Sequence, residues 1–472
     1  METVLRMTGQ QHTQLRVHLF PGDGNEAVAL ALCGRRAGEA RHILTVRKIV
    51  LVPYDACAVR TPRRVTWSTD VLLPLLEEAA RRDMAILKIH SHPGGLTEFS
   101  ETDDVSDRDL FPSVYGWTDS QLPHASAVML PDGHIFGRVV TEDGEFVPLS
   151  LVAVAGDDLN YFWRLTAEDE GIPEFARRHA QAFGVGTFNS LKNLSIAVIG
   201  CSGTGSPVIE QLARLGVGKL TIVDPDRVEE KNLNRILNAT MNDAQERKLK
   251  VDVLARAVRR MGTGTEVAPL ARDLHDAEIV KTVAGCDAVF GCMDSVDGRH
   301  LLNRLAVFYT LPYLDVGVKL VADGSGGVEQ ICGTVHYLQP DRSSLLSRGV
   351  YSMEQVRAAA LKRTNPVAYR DQLQSKYIVG VQEDRPAVIS VNMQLASMAV
   401  NEFLARVHNY RDDGNAQFAV NRISLTQAQS YFEAEGAPCP ALSRHVGRGD
   451  VHPLLDMPEL SETHPVQVEV AA

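Results

Sequence analysis

Cysteine is scarce in this chain: seven among 472 residues, an odd number, with no Cys-x-x-Cys pair. That excludes a disulfide framework and points to a reducing, cytoplasmic setting. No apolar run approaches the about 20 residues that cross a bilayer, and Met1 to Arg6 lacks the apolar stretch of a signal peptide. Positive charge is outweighed, with 48 Lys and Arg against 59 Asp and Glu and a formal net charge of -11. Neither a nucleic-acid nor a membrane partner is expected from that balance. Internal repeats and low-complexity segments are also missing. What remains is a globular composition, 44% apolar and 23% charged. Single cores stop growing near ~250–300 residues, so two or more domains are expected.

The most informative stretch runs from Leu194 to Arg235. Residues 195 to 199 are apolar and β-branched, as suits a buried parallel strand. Gly200, Gly203 and Gly205 follow, and then Pro207, which fits the first turn of a helix. Asp224 ends a second apolar strand about twenty residues beyond the loop, where a ribose hydroxyl needs an acceptor. The pattern predicts a strand–loop–helix–strand unit that holds the phosphates and ribose of a nucleotide. Further on, Asp243 to Met261 reads as one basic amphipathic helix, and Asp287 to Asp294 as a strand ending in an acid. Val328 to Leu338 and Phe418 to Leu425 read as strands.

The N-terminal part carries different chemistry. Ala27 to Cys33 and Ile49 to Val52 read as strands, Asp70 to Arg82 as a helix, and Ala85 to His92 as a strand leading into a loop. Ala125 to Leu130 and His134 to Val140 form a hairpin around Pro131-Asp-Gly. His90 and His92 stand two apart at a strand end, so both imidazoles face one side and can reach one metal. Asp103 supplies a third ligand, and the fourth position stays open for water, as catalytic zinc requires. Asp157 to Thr166, with Tyr161, Phe162 and Trp163, reads as an aromatic-rich helix that opens a helical bridge.

Two resemblances complete this reading. Asp224-Pro-Asp226-Arg-Val-Glu-Glu-Lys-Asn232-Leu-Asn234-Arg235, behind the glycine loop, resembles the ThiF/MoeB/HesA family, the adenylating half of ubiquitin-activating enzymes. Ser202 replaces the second glycine of that family's loop and Ser206 keeps its serine; the resemblance spans about Ala176 to Phe403. It implies a Rossmann-like domain that takes ATP and Mg2+. Arg235 and either Lys248 or Lys250 hold phosphates, Asp294 holds Mg2+, and Arg178 reaches the nucleotide of a partner subunit in a homodimer. His90-Ser-His92-Pro93, Ser100 and Asp103 resemble the JAMM motif of the JAB/MPN metalloproteases over about Leu15 to Val152. That likeness implies an α+β domain with Zn2+ on His90, His92 and Asp103, Glu26 as general base, and Ser100 steadying the oxyanion.

The expected architecture is therefore α/β. A JAB/MPN domain occupies residues 1–155, a helical bridge 156–190, a ThiF-type domain 191–410, and a strand and tail 411–472. The expected function is twofold: a zinc (iso)peptidase acting on a ubiquitin-like tail, and an ATP-dependent adenylation of that tail's carboxylate. A conjugation or sulfur-transfer partner lies downstream. The chain departs from its relatives at the positions of their structural zinc, with Ser344, Ser347 and Leu442 beside Cys439, and it has no cysteine from Ser347 to Asp384. The competing classes are an NAD-binding oxidoreductase and a scaffold with one head inactive.

Overall fold

The computed structural model describes residues 1–164, 172–323, 325–374 and 387–461. The chain divides into two compact units. The first comprises Met1–Asp169, Phe308–Thr310 and His445–Asp450; the second comprises Glu170–Val307, Leu311–Arg444 and Val451–Ala472. No helix among the described residues is long and apolar enough to cross a membrane.

The first unit is a nine-stranded mixed sheet. Numbered in chain order, it runs β11 (Leu159–Trp163), β10 (Leu151–Ala155), β1 (Glu2–Thr8), β3 (Arg41–Leu51), β2 (Val28–Arg36), β6 (Ala85–Ser91), β7 (His124–Met129), β8 (Ile135–Val140) and β9 (Phe146–Pro148). A short ribbon, β4 (Cys57–Thr61) with β5 (Arg64–Trp67), stands apart. The sheet is covered on both faces, so β2, β6 and β7 are buried at nearly every position instead of alternating. Leu87 and Ile89 of β6 join Leu15 and Leu19 of α1 (Gly9–Leu19) in one core. Ile86 joins the other core, with Leu75, Leu76 and Ala79 of α2 (Leu73–Arg82) and Phe111 and Val114 of α3 (Glu101–Thr118). By the strand's period of two, Lys88 and His90 share the face of Ile86.

Several expectations shift here. The helix expected from Asp70 starts at Leu73, because Ser68 caps a separate 3-10 turn over Thr69–Val71. The aromatic helix expected over 157–166 is instead β11. It pairs antiparallel with β10 from Leu151↔Trp163 to Ala155↔Leu159, and Tyr161 and Trp163 pack on Val4, Ile43 and Leu151. Aromatic side chains fit that half-buried pleated surface. Neither α1 nor α3 has an apolar stripe strong enough to read, yet each opens with a capping box, Thr8 with Gln11 and Ser100 with Asp103. The tail, which suggested no chemistry, lends Gly447 to the first unit: its carbonyl accepts from Gly34 N (3.2 Å) and Thr45 Oγ1 (3.1 Å). Only glycine fits there, with φ at 67° and a Cβ falling 2.2 Å from Val46 O.

The second unit holds an eight-stranded sheet: β14 (Glu266–Leu270), β13 (Lys219–Val223), β12 (Ser195–Ile199), β15 (Ala288–Gly291), β16 (Tyr313–Ala322), β17 (Val328–Leu338), β18 (Val420–Ser424) and β19 (Gln429–Glu433). The first five are parallel in doubly wound order and the last three pair antiparallel. Its helices are α4 (Arg177–Phe183), α5 (Val185–Asn193), α6 (Gly205–Arg214), α7 (Met241–Gln245), α8 (Lys250–Met261), α9 (Ala277–Ala284), α10 (Val296–Phe308), α11 (Met353–Thr364), α12 (Pro366–Gln374) and α13 (Ile389–Val407). The chain reverses its direction of winding between β12 and β15, and ligands of such sheets bind outside the strand ends at that point. The helix expected over 243–261 is two, α7 and α8. Arg247 takes the left-handed conformation (φ 48°) after α7, and the chain turns before Lys250.

Candidate active sites

At the end of β6, His90 and His92 meet the first turn of α3. His90 Nε2 lies 3.0 Å from Asp103 Oδ1, His92 Nε2 lies 3.3 Å from Asp103 Oδ2, and the two ring nitrogens are 3.1 Å apart. All three side chains are buried, and their ligand atoms lie within 4.8 Å of one another. His92 Nδ1 faces Leu96 O at 2.8 Å, which assigns its proton to that bond and leaves the Nε2 lone pair inward. Two imidazole nitrogens and a carboxylate that converge in this way are a donor set that suits zinc. Ser100 caps α3, and both its N–H and Oγ donate to Asp103 Oδ2 at 2.7 Å. The hydroxyl therefore orients Asp103.

Glu26 reaches this cluster through strand register. Val28 pairs with His90, and Ala27 O accepts from Ser91 N at 3.1 Å, so Glu26 falls beside His92. Burial pushes its carboxyl up to about 7, with the Asp103 charge adding to the rise and those of His92 and Lys88 opposing it. Lys88 is spoken for by Asp107 at 2.5 Å. Burial holds His90 below its ordinary value. For His92 burial is outweighed by Asp103 and Leu96 O, and the ring is raised.

The nucleotide edge lies in the second unit. Gly200 has φ 92°, and a Cβ there would fall 2.7 Å from Cys292 O; a Cβ on Gly205 would fall 1.8 Å from Gly200 O. The loop therefore closes tightly onto the start of α6. Asp224, nearly buried, accepts from Cys201 N (2.7 Å) and Asp226 N (2.9 Å). Burial raises its pKa, and the Lys250 charge works against that. Lys250 Nζ sits 2.6 Å from Asp226 Oδ2 and 3.7 Å from Asp224 Oδ1.

Lys248 points elsewhere. It pairs with Glu246 (2.7 Å) and Asp243 (3.4 Å) and lines a surface cavity with Arg227 and Arg256. The break between α7 and α8 thus separates two lysines that one continuous helix would have left equivalent. Arg235, half-buried, donates to Lys231 O (2.9 Å) and Asn234 Oδ1 (3.0 Å). Asn234 donates to Ala387 O (3.3 Å), while Asn232 caps its own turn by accepting from Glu229 N (3.0 Å). Asp294 is exposed just past β15, two residues beyond the Cys292 that touches Gly200. Arg178 is exposed on α4. Cys201 and Cys292 are buried, and burial raises both thiols.

At the serines that stand where the resemblance implied a structural zinc, Ser344 N donates to Ser347 Oγ at 2.9 Å and Ser347 N to Ser344 Oγ at 3.1 Å. A buried Arg348–Glu435 pair at 3.1 Å adjoins them, and Cys439 N donates to Arg342 O at 3.0 Å. Of the cysteine-free span 347–384, residues 375–384 lie outside the described residues. Sequence reasoning missed Asn392, a buried residue of α13 against Gly203, because only tertiary packing brings it there.

A glycine loop, an acid at the next strand end and an α8 lysine at the switch point mark an α/β domain of the nucleotide-binding type, joined in this chain to an α+β domain with a His90, His92 and Asp103 cluster. The ThiF family matches residues 176–439, and the prokaryotic homologs of the JAB domain match residues 10–136. The chain belongs to the ThiF family and carries a JAB-like domain ahead of it. It is 32% identical over 124 residues to the adenylyltransferase and sulfurtransferase MOCS3 of Danio rerio, covering 26% of this chain and 26% of that protein. It is 33% identical over 117 residues to the SAMP-activating enzyme E1 of Haloferax volcanii, covering 25% of this chain and 43% of that one. The chain thus spans less than half the length of these relatives. The crystal structure of E. coli MccB with ATP aligns with 58% of this chain and 75% of its own at 17% identity and a TM-score of 0.43.

Proposed function

We propose that the chain is a two-headed enzyme of ubiquitin-like protein metabolism. The second unit adenylates the C-terminal carboxylate of a ubiquitin-like protein with ATP, and the first is a zinc (iso)peptidase that trims or removes the same tail. The observation that carries the adenylating half is the Asp224–Lys250–Asp226 cluster beside a closed glycine loop at the switch point of a ThiF-family sheet. The names of the matched relatives, an adenylyltransferase and a SAMP-activating enzyme E1, support it.

In this reading Asp224 takes the ribose and the N–H groups at the start of α6 favour phosphate. Lys250 leaves Asp226 to meet the phosphates with Arg235, and Asp294 holds the Mg2+ that accompanies ATP. Neutralising charge at the α-phosphate matters more than proton transfer, because the attacking carboxylate is already a nucleophile. Arg178 reaches the nucleotide of a second copy in a homodimer.

In the first unit His90, His92 and Asp103 hold Zn2+, which when bound supplies Lewis acidity to water and the scissile carbonyl. Glu26 takes a proton from the attacking water and passes it to the departing amine. Ser100 keeps Asp103 in place.

Metal analysis and ATP–pyrophosphate exchange on the full chain test both halves. The expected results are about one zinc per chain and exchange that depends on a free C-terminal carboxylate. Tight NAD binding without ATP binding overturns the adenylating half.

A further inference from the structure

One largely buried polar side chain at the nucleotide edge makes no hydrogen bond among the described residues. Asn392 is 4% exposed as a whole, and the tip of its carboxamide is not sealed from solvent. It sits in the first turns of α13, where its backbone N–H donates to Val388 O at 3.1 Å. The N–H groups before it have no acceptor within the helix, and Val388 at the cap gives them no side-chain oxygen. The amide faces the glycine loop: a Cβ on Gly203 would lie 2.1 Å from Asn392 Nδ2 and 3.1 Å from Arg235 Cδ. The start of α13 is tied to the same place, since Ala387 O accepts from Asn234 next to Arg235.

We propose that Asn392 is a nucleotide-binding residue whose carboxamide donates a hydrogen bond to a phosphate oxygen of ATP. The inference rests on the adenylation reading of this site. The ligand must be anionic, because what converges there are donors: the loop and α6 N–H groups, the Arg235 guanidinium, the uncapped start of α13 and this amide. The neutral amide suits the position, as it can donate without competing with Arg235 for the anion. An aspartate of the same shape would repel it.

The test is calorimetric titration of the full chain with ATP and with adenosine, for wild type, Asn392→Ala and Asn392→Asp. Adenosine reports folding and the ribose and base contacts. Losing a donor to a charged oxygen should weaken ATP by about tenfold in Asn392→Ala, and the added charge should weaken it by about a hundredfold in Asn392→Asp. Adenosine should bind all three alike. ATP affinity unchanged in both variants overturns the proposal, as does an equal loss for ATP and adenosine, which marks a packing role. Unchanged ATP affinity with a raised KM for the carboxylate substrate in exchange also overturns it and reassigns the amide to that carboxylate. If the wild type itself binds no ATP, the adenylation reading fails instead.

Discussion

The two sites are built on opposite plans. The proposed metal site is closed on itself. His90, His92 and Asp103 are buried, their nitrogen and oxygen atoms face one another, and a capping box fixes the aspartate. The nucleotide edge is open. Asp294 is exposed, Arg235 donates to Lys231 O and Asn234 Oδ1 of its own loop, and the Asn392 carboxamide makes no hydrogen bond among the described residues. A resident metal rewards a finished cage, whereas a substrate that comes and goes needs donors it can satisfy and then release. The contrast can be broken by variants that strike one plan and spare the other.

The largest effect is expected from the double variant His90→Ala, His92→Ala. Its zinc should fall from one per chain to none and peptide cleavage to background, with ATP–pyrophosphate exchange kept within about twofold, since both residues belong to the first unit and exchange to the second. Zinc that survives in stoichiometric amount would expose a second site, and the Ser344, Ser347 and Cys439 region is where to look. In the other direction, Asp294→Ala should cut exchange by roughly 10²–10³-fold, the scale for removing one preorganised charge, and leave zinc untouched.

The lysines sharpen the contrast within the open site. Lys250→Ala should cost exchange roughly 10–100-fold, as expected for a lost bond to a charged oxygen. Lys248→Ala should stay within about twofold, because exposed surface pairs are worth little. Equal losses for both would mean that α7 and α8 rearrange when ATP binds. The smallest effect belongs to Ser100→Ala, which loses the cap of α3 and a bond to Asp103. Stability should fall by about 1 kcal/mol and zinc affinity by about tenfold, read by thermal unfolding and chelator competition.

The plans also explain what the sequence disclosed. His90, His92 and Asp103 lie within fourteen positions of one another, and a strand period of two with a Ser-x-x-Asp cap is enough to bring them together. Glu26 is farther off in sequence but one strand away in space, and the Val28↔His90 register carries it in. On the nucleotide side the glycines and Asp224 share one strand–loop–helix–strand unit and were equally legible. The lysine was not, because the choice turns on a single left-handed residue, Arg247, that periodicity does not register. Asn392 follows Gly203 by nearly the whole domain, and no local pattern links them. The helix expected at 157–166 failed for a related reason: aromatic side chains suit either structure, and the β10 partner made the choice.

The central claim is that one chain prepares a tail and then activates it. On the proposed reading a carboxylate is what the second unit would consume, and a precursor with extra residues would lack it at the right position until the first unit cleaved it. The direct measurement is adenylation of a ubiquitin-like substrate in extended and trimmed forms by wild type and Glu26→Gln, with zinc content recorded for each. Wild type should adenylate both, the extended form after a lag, and Glu26→Gln should keep its zinc, adenylate the trimmed form at the wild-type rate and leave the extended form unmodified. Equal adenylation of both forms by Glu26→Gln would contradict the account and assign the first unit to removing tails from finished conjugates.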